Sequence, residues 1–142
     1  MIHKILSPTN KKLFDIDDSN LPVRVIRFYD VNLNIEETEY YLRECAKLFD
    51  VKGSITILDL SEGKYLSSDL RIKMGKLYKE LAGKIKENIV KLIYVAPSFI
   101  QRSLLRGIFL IQPPATEYSI TNNLDEGMFE AMKKLEVVWT TR

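Results

Sequence analysis

The residues able to do chemistry gather in one stretch, Ser61 and then Ser67, Ser68 and Asp69. They follow Ile55-Thr56-Ile57-Leu58-Asp59-Leu60, a buried-strand pattern, and stand where a long amphipathic helix begins. Hydroxyls at a helix N-terminus lie among free backbone N–H groups at the positive end of the helix dipole, surroundings that favour a phosphate. Ser67, with Ser68 and Ser61 beside it, is therefore a candidate phospho-acceptor, and Asp69 a candidate partner contact. The competing use is structural, because a serine N-cap alone contributes about 1 kcal/mol. Asp69 also brings a permanent negative charge, which on its own would hold this surface in one fixed state.

A second group lies on the helix expected over Phe99–Ile111. Arg102 and Arg106 are four residues apart, on one helix face, where two guanidinium groups can clamp a phosphate or a partner's carboxylates. A solvated stripe on an amphipathic helix is the simpler explanation for them. Ser98 with Gln101 three residues later makes a capping box. Phe99, Ile100, Leu104, Leu105, Ile108, Phe109, Leu110 and Ile111 spread around more than one face of the helix. The surplus suits a protein partner, a homodimer contact or a lipid, unless the tail Val137-Val138-Trp139 covers it.

Other chemistries have little to work with. The one histidine, His3, sits near a terminus expected to be poorly ordered. The one cysteine, Cys45, falls on the apolar side of a helix, which leaves no intramolecular disulfide and no thiolate metal cluster. The carboxylate pairs Asp17/Asp18 and Glu36/Glu37 lie in a turn and a first helical turn, where solvation and capping account for them. Gly63-Lys64 is far short of a phosphate-binding loop. No catalytic residue, metal or cofactor is expected, and the chain does not read as an enzyme. Net charge is +2, from 21 basic and 19 acidic residues, too even a balance for a nucleic-acid partner. Lys84, Lys86 and Lys91 interleave with Glu80 and Glu87 as a solvated face. The first thirty residues have no signal-peptide core, and no window reaches the ~18 apolar residues of a membrane span. A cytoplasmic protein with no stable membrane insertion is the expectation.

The elements that must position these residues alternate. Leu13–Ile16 and Val23–Tyr29 predict a hairpin around the turn-rich segment 17–22. Asn34, with Glu37 three residues on, opens a helix whose Thr38, Tyr41, Leu42, Cys45, Leu48 and Phe49 recur at core spacing. Strand Ile55–Leu60 follows, then a helix from about Ser68 to Glu87 with the stripe Leu70, Met74, Leu77, Leu81 and Ile85. Val90–Ala96 is a second buried strand. Pro113-Pro114 ends the next helix, Thr116–Ile120 is a short strand, and Asn123 caps a last helix. Strands alternating with helices predict one α/β domain over 1–142, with a mostly parallel sheet and about four flanking helices.

The order of hairpin, helix, strand ending in Leu58-Asp59-Leu60-Ser61, and Leu66-Ser67-Ser68-Asp69-Leu70 opening a helix resembles the STAS fold of anti-sigma-factor antagonists. In that family an Asp-Ser-Ser-Gly-Leu motif begins the helix and its first serine, here Ser67, is phosphorylated. The segment from Ser98 through Arg102-Ser103-Leu104-Leu105, the proline break, the short strand and the helix opening at Leu124-Asp125-Glu126 is similar to the broader SpoIIAA-like, STAS/SEC14-type family. The likeness spans about residues 13–135. It implies a non-enzymatic regulatory domain, possessing as partner a kinase or an anti-sigma-type protein. The SEC14-type likeness implies an alternative, a small-ligand or lipid-binding module with a pocket beside helix 99–111 and Arg102 and Arg106 as headgroup contacts. Two positions depart from the motif: Leu66 stands in place of its Asp and Asp69 in place of its Gly. The second puts a carboxylate beside any phosphate.

Overall fold

The computed structural model describes residues 2–30, 32–63 and 67–140, the side chains of Trp139 and Thr140 excepted. Ten elements follow one another: β1 (Ile2–Leu6), β2 (Lys12–Asn20), β3 (Val23–Tyr29), α1 (Ile35–Lys47), β4 (Ser54–Glu62), α2 (Ser68–Asn88), β5 (Ile89–Val95), α3 (Phe99–Phe109), β6 (Tyr118–Thr121) and α4 (Leu124–Thr140). They build one six-stranded sheet whose spatial order equals its sequence order. β1, β2 and β3 are antiparallel neighbours, and β3 to β6 run parallel. The α/β architecture with a leading hairpin and four helices is thus the one expected.

The strand order decides where the helices go. Each crossover from β3 to β6 steps in the same direction, and right-handed crossovers then put α1, α2 and α3 on one face. That face carries the larger core, in which Phe14, Ile26, Phe28, Leu58, Leu92 and Tyr94 of the sheet meet Tyr41, Cys45, Met74, Leu81, Leu105 and Ile108 of the helices. The opposite face would stay bare, and α4 folds back across it. Val23, Ile55, Ile57, Ile93 and Val95 form a smaller core there with Ala131. Two close approaches fix α3 on α2. A Cβ at Gly75 would lie 2.7 Å from Ile111, and one at Gly107 would lie 3.3 Å from Arg71 Nη1.

Four expectations need correcting. His3 belongs to no frayed end: β1 pairs with β2, with His3 opposite Ile16. β2 runs on through Asp17, Asp18 and Ser19, so the turn shrinks to Leu21-Pro22. The last strand starts and ends slightly later, at Tyr118–Thr121. The tail after Leu135 cannot shield the apolar excess of α3, because α4 packs on β4, β5 and β6 across the opposite face of the sheet. Trp139, part of that expectation, has its side chain outside the described residues.

Candidate functional site

The parallel strands deliver the starts of α1, α2 and α3 to one edge of the sheet, the carboxyl edge where open α/β sheets place their ligands. Asn34, Ser67 and Ser98 cap the three helices. Between the first two lies a groove of about 170 Å³, with Leu33, Ile35 and Thr38 on one wall and Ser67, Asp69 and Lys73 on the other.

The three candidate serines occupy different situations. The Ser67 hydroxyl accepts the Leu70 N–H at 3.1 Å and is engaged as the N-cap. Ser68 is exposed in the first turn, and its hydroxyl accepts from Arg71 Nη2 at 2.9 Å. Ser61 closes the end of β4: its N–H donates to Asp59 Oδ1 at 3.0 Å and its carbonyl accepts from Gln101 Nε2 at 3.2 Å. Asp59 is buried and receives Arg27 Nε at 3.2 Å. Asp69 is exposed and pairs with Lys73 at 3.0 Å. Leu66, the motif departure before Ser67, lies outside the described residues, as do Lys64 and Tyr65.

Arg71 is the residue that sequence reading missed. Arg71 extends from α2 against Gly107 of α3, and its Nη2 reaches Ser68 while its buried Nε has no hydrogen-bond partner. A buried donor left unpaired is costly, about 1–3 kcal/mol, and Nη2 is the part of this guanidinium that faces the exposed hydroxyl. The signal was the i,i+3 spacing from Ser68, hidden among the lysines of α2.

The second candidate group separates into pieces. Ser98 and Gln101 form the full capping box, with Gln101 itself buried. Arg102 is tied to the backbone, donating from Nε to Ala96 O at 3.1 Å and from Nη2 to Pro97 O at 3.2 Å. Arg106 is exposed and lies over the Phe99 ring, 5.8 Å from its centroid. The two arginines therefore do different work and form no clamp. Phe99 is 72% exposed, whereas Phe109 is half-buried and packs edge-on against Tyr94 and Tyr118, centroids 5.3 and 5.6 Å apart.

A cavity of about 70 Å³ does lie under α3, lined by Phe28, Tyr41, Leu58, Met74, Tyr78, Tyr94, Leu105 and Phe109 among others. Neither arginine lines it. Burial pushes the Tyr41, Tyr78 and Tyr94 phenols well above their ordinary range, so all three stay protonated. Burial likewise pushes the Cys45 thiol up, which keeps it from acting as a nucleophile. Among the described residues no three His, Cys, Asp or Glu side chains converge as a metal site, and no helix is long and apolar enough to cross a membrane.

Glu37 fills its expected place in the capping box with Asn34 and makes further bonds that the spacing does not display. Glu36 is exposed, but Glu37 is buried and receives Lys11 Nζ at 2.9 Å, Ser7 Oγ at 3.2 Å, the Thr9 hydroxyl and the Asn34 N–H. Hydrogen bonds from Thr9, then Lys11 and Asn34, hold its carboxyl down from the ordinary 4.5 to about 2. It ties the β1–β2 turn to the start of α1. No family model and no curated protein matches the chain.

Proposed function

We propose that this chain is a non-enzymatic, cytoplasmic regulatory domain of the STAS (SpoIIAA-like) type that works by protein contact at the start of α2. The observation that carries the reading is the pair Ser68–Arg71: an exposed hydroxyl in the first turn of a helix, 2.9 Å from the Nη2 of a guanidinium. A phosphate on Ser68 gains Arg71 as a charge-assisted partner and the helix dipole as a second favourable term. Lys73 offsets the like charge of Asp69. Ser67, the acceptor implied by the family motif, is the less available serine because capping occupies its hydroxyl. Its partner is a kinase or an anti-sigma-type regulator, met at the exposed first turn of α2 on the side where Arg71 packs toward α3.

Phosphopeptide mapping of protein taken from its native host tests this, together with partner retention by wild type and by Ser68→Asp. Phosphate on Ser68 and at least a tenfold change in retention are expected. Full peptide coverage with unmodified Ser61, Ser67 and Ser68, and identical retention, would sink the reading.

The cavity under α3 favours a second reading, a small apolar ligand held by contact with buried aromatic rings. Its modest volume suits a small group better than a whole acyl chain. Native mass spectrometry of gently extracted protein, beside the cavity-filling Met74→Phe, reads it directly. An adduct lost in the variant supports a ligand; bare mass in both removes it.

A further inference from the structure

The two edges of the sheet are protected very unequally. An exposed strand edge offers unpaired N–H and C=O groups to any other chain, and proteins blunt such edges with charge and bulges. β1 carries His3 and Lys4 and has a register shift between Ile5 and Leu6. β6 reads Tyr-Ser-Ile-Thr and has neither device.

The register of β6 shows what it offers. Leu92 and Ala96 donate their N–H groups to the carbonyls of Glu117 and Thr121, each at 2.9 Å. Residues 117, 119 and 121 therefore face β5, and the backbone groups of Tyr118 and Ile120 point outward from the last strand of the sheet. Their side chains stay 47% and 42% exposed, on the face that α3 covers. An open ladder and an apolar strip coincide.

Charge selects the occupant. From Asn88 to Thr116 there is no acidic residue, while Lys91, Arg102 and Arg106 lie in that span. Arg106 is exposed on the α3 side of the edge. On the α4 side Lys91, Lys133 and Lys134 are balanced by Glu117, Glu126 and Glu130, so the unbalanced charge beside the edge is that of Arg102 and Arg106 on the α3 side. A second copy would set like-charged surfaces against each other, which disfavours it. From this geometry we infer that the β6 edge accepts an extended segment of a partner protein as a seventh strand, one in which apolar and acidic residues alternate. The main chain supplies the affinity, and side chains against Tyr118, Ile120 and Arg106 supply the choice of sequence. This surface is separate from the Ser68 site.

Panning the full chain against a display library of random nine-residue peptides, then synthesising the enriched sequences, tests the inference. Enriched peptides should alternate β-branched or aromatic residues with Asp or Glu. In the complex, hydrogen exchange should slow at the Tyr118 and Ile120 amides. Arg106→Glu and Ile120→Lys, both at exposed side chains, should each weaken binding at least tenfold with unchanged circular dichroism. Ser68→Asp should leave it unchanged, which separates failure here from failure of the regulatory reading. Four results overturn the inference: no enrichment, enrichment of basic or proline-rich peptides, protection mapping away from β6, or a concentration-dependent dimer that protects the same amides.

Discussion

The starts of α1 and α3 are closed by reciprocal capping boxes, and the start of α2, among the described residues, is capped on one side only. At α1, Asn34 accepts the Glu37 N–H at 2.9 Å while Glu37 reaches back to Asn34 and outward to Ser7, Thr9 and Lys11. At α3, Ser98 accepts the Gln101 N–H at 3.3 Å, and Gln101 returns to Ser98 and then crosses to the Ser61 carbonyl. Both closed starts depend on a buried polar residue at the third helical position. At α2 that position is Leu70, which points into the core and cannot answer its cap. A reciprocal box satisfies both the N–H of the cap and that of the third helical position, whereas the single-sided cap of α2 satisfies only the latter. The start of α2 lies between the two boxed ones, which suits the contact surface proposed for it.

Opening a closed start should cost the most. Glu37→Ala leaves Lys11, Ser7 and Thr9 without their shared acceptor, and thermal melting should fall by on the order of 10 °C. Its pH dependence has a definite sign. The folded-state pKa lies below the unfolded one, so the stabilisation is complete above the ordinary carboxylate range. It drains away as pH falls from 4.5 toward about 2. Glu37→Gln should melt below wild type at neutral pH, and the two curves should converge in acid. A constant gap across that range would show that the carboxylate charge is not what closes α1. Gln101→Leu comes next, at about 2 kcal/mol by denaturant titration, because it strands the Ser98 N–H and the Ser61 carbonyl. A loss near zero would mean that α3 is as open as α2.

Where burial and periodicity coincide, the fold was legible. Leu70, Met74, Leu81 and Ile85 line the core side of α2 as spaced, and β4 and β5 are buried along most of their length. β1 was not legible, because an edge strand carrying His3 and Lys4 has no apolar alternation to display. The far half of β2 was obscured by Asp17, Asp18 and Ser19, residues that favour turns but sit here in a strand beyond the reach of α4. At the site, the caps could be read because they are local in sequence. The partners that distinguish one serine from another could not. Gln101 meets Ser61 across 40 residues, and Gly107 makes room for Arg71 from another helix. The same limit broke the arginine pair, since spacing placed Arg102 and Arg106 on one face but backbone carbonyls beyond the helix claimed Arg102.

The smaller effects decide how far the start of α2 is free for a partner. Ser67→Ala removes a cap that has no reciprocal bond and should cost about 1 kcal/mol, the ordinary value for a single-sided cap. Ser68→Ala removes an exposed hydroxyl whose contact with Arg71 is solvent-accessible, and should stay within about 0.5 kcal/mol. The order of effects should reverse when the readout is partner retention instead of melting. Ser68→Ala should then abolish any dependence of retention on phosphorylation, while Ser67→Ala keeps it. If Ser67→Ala is the variant that loses the dependence, the cap itself is the acceptor. The arrangement of Ser68 with Arg71 is then helix packing alone.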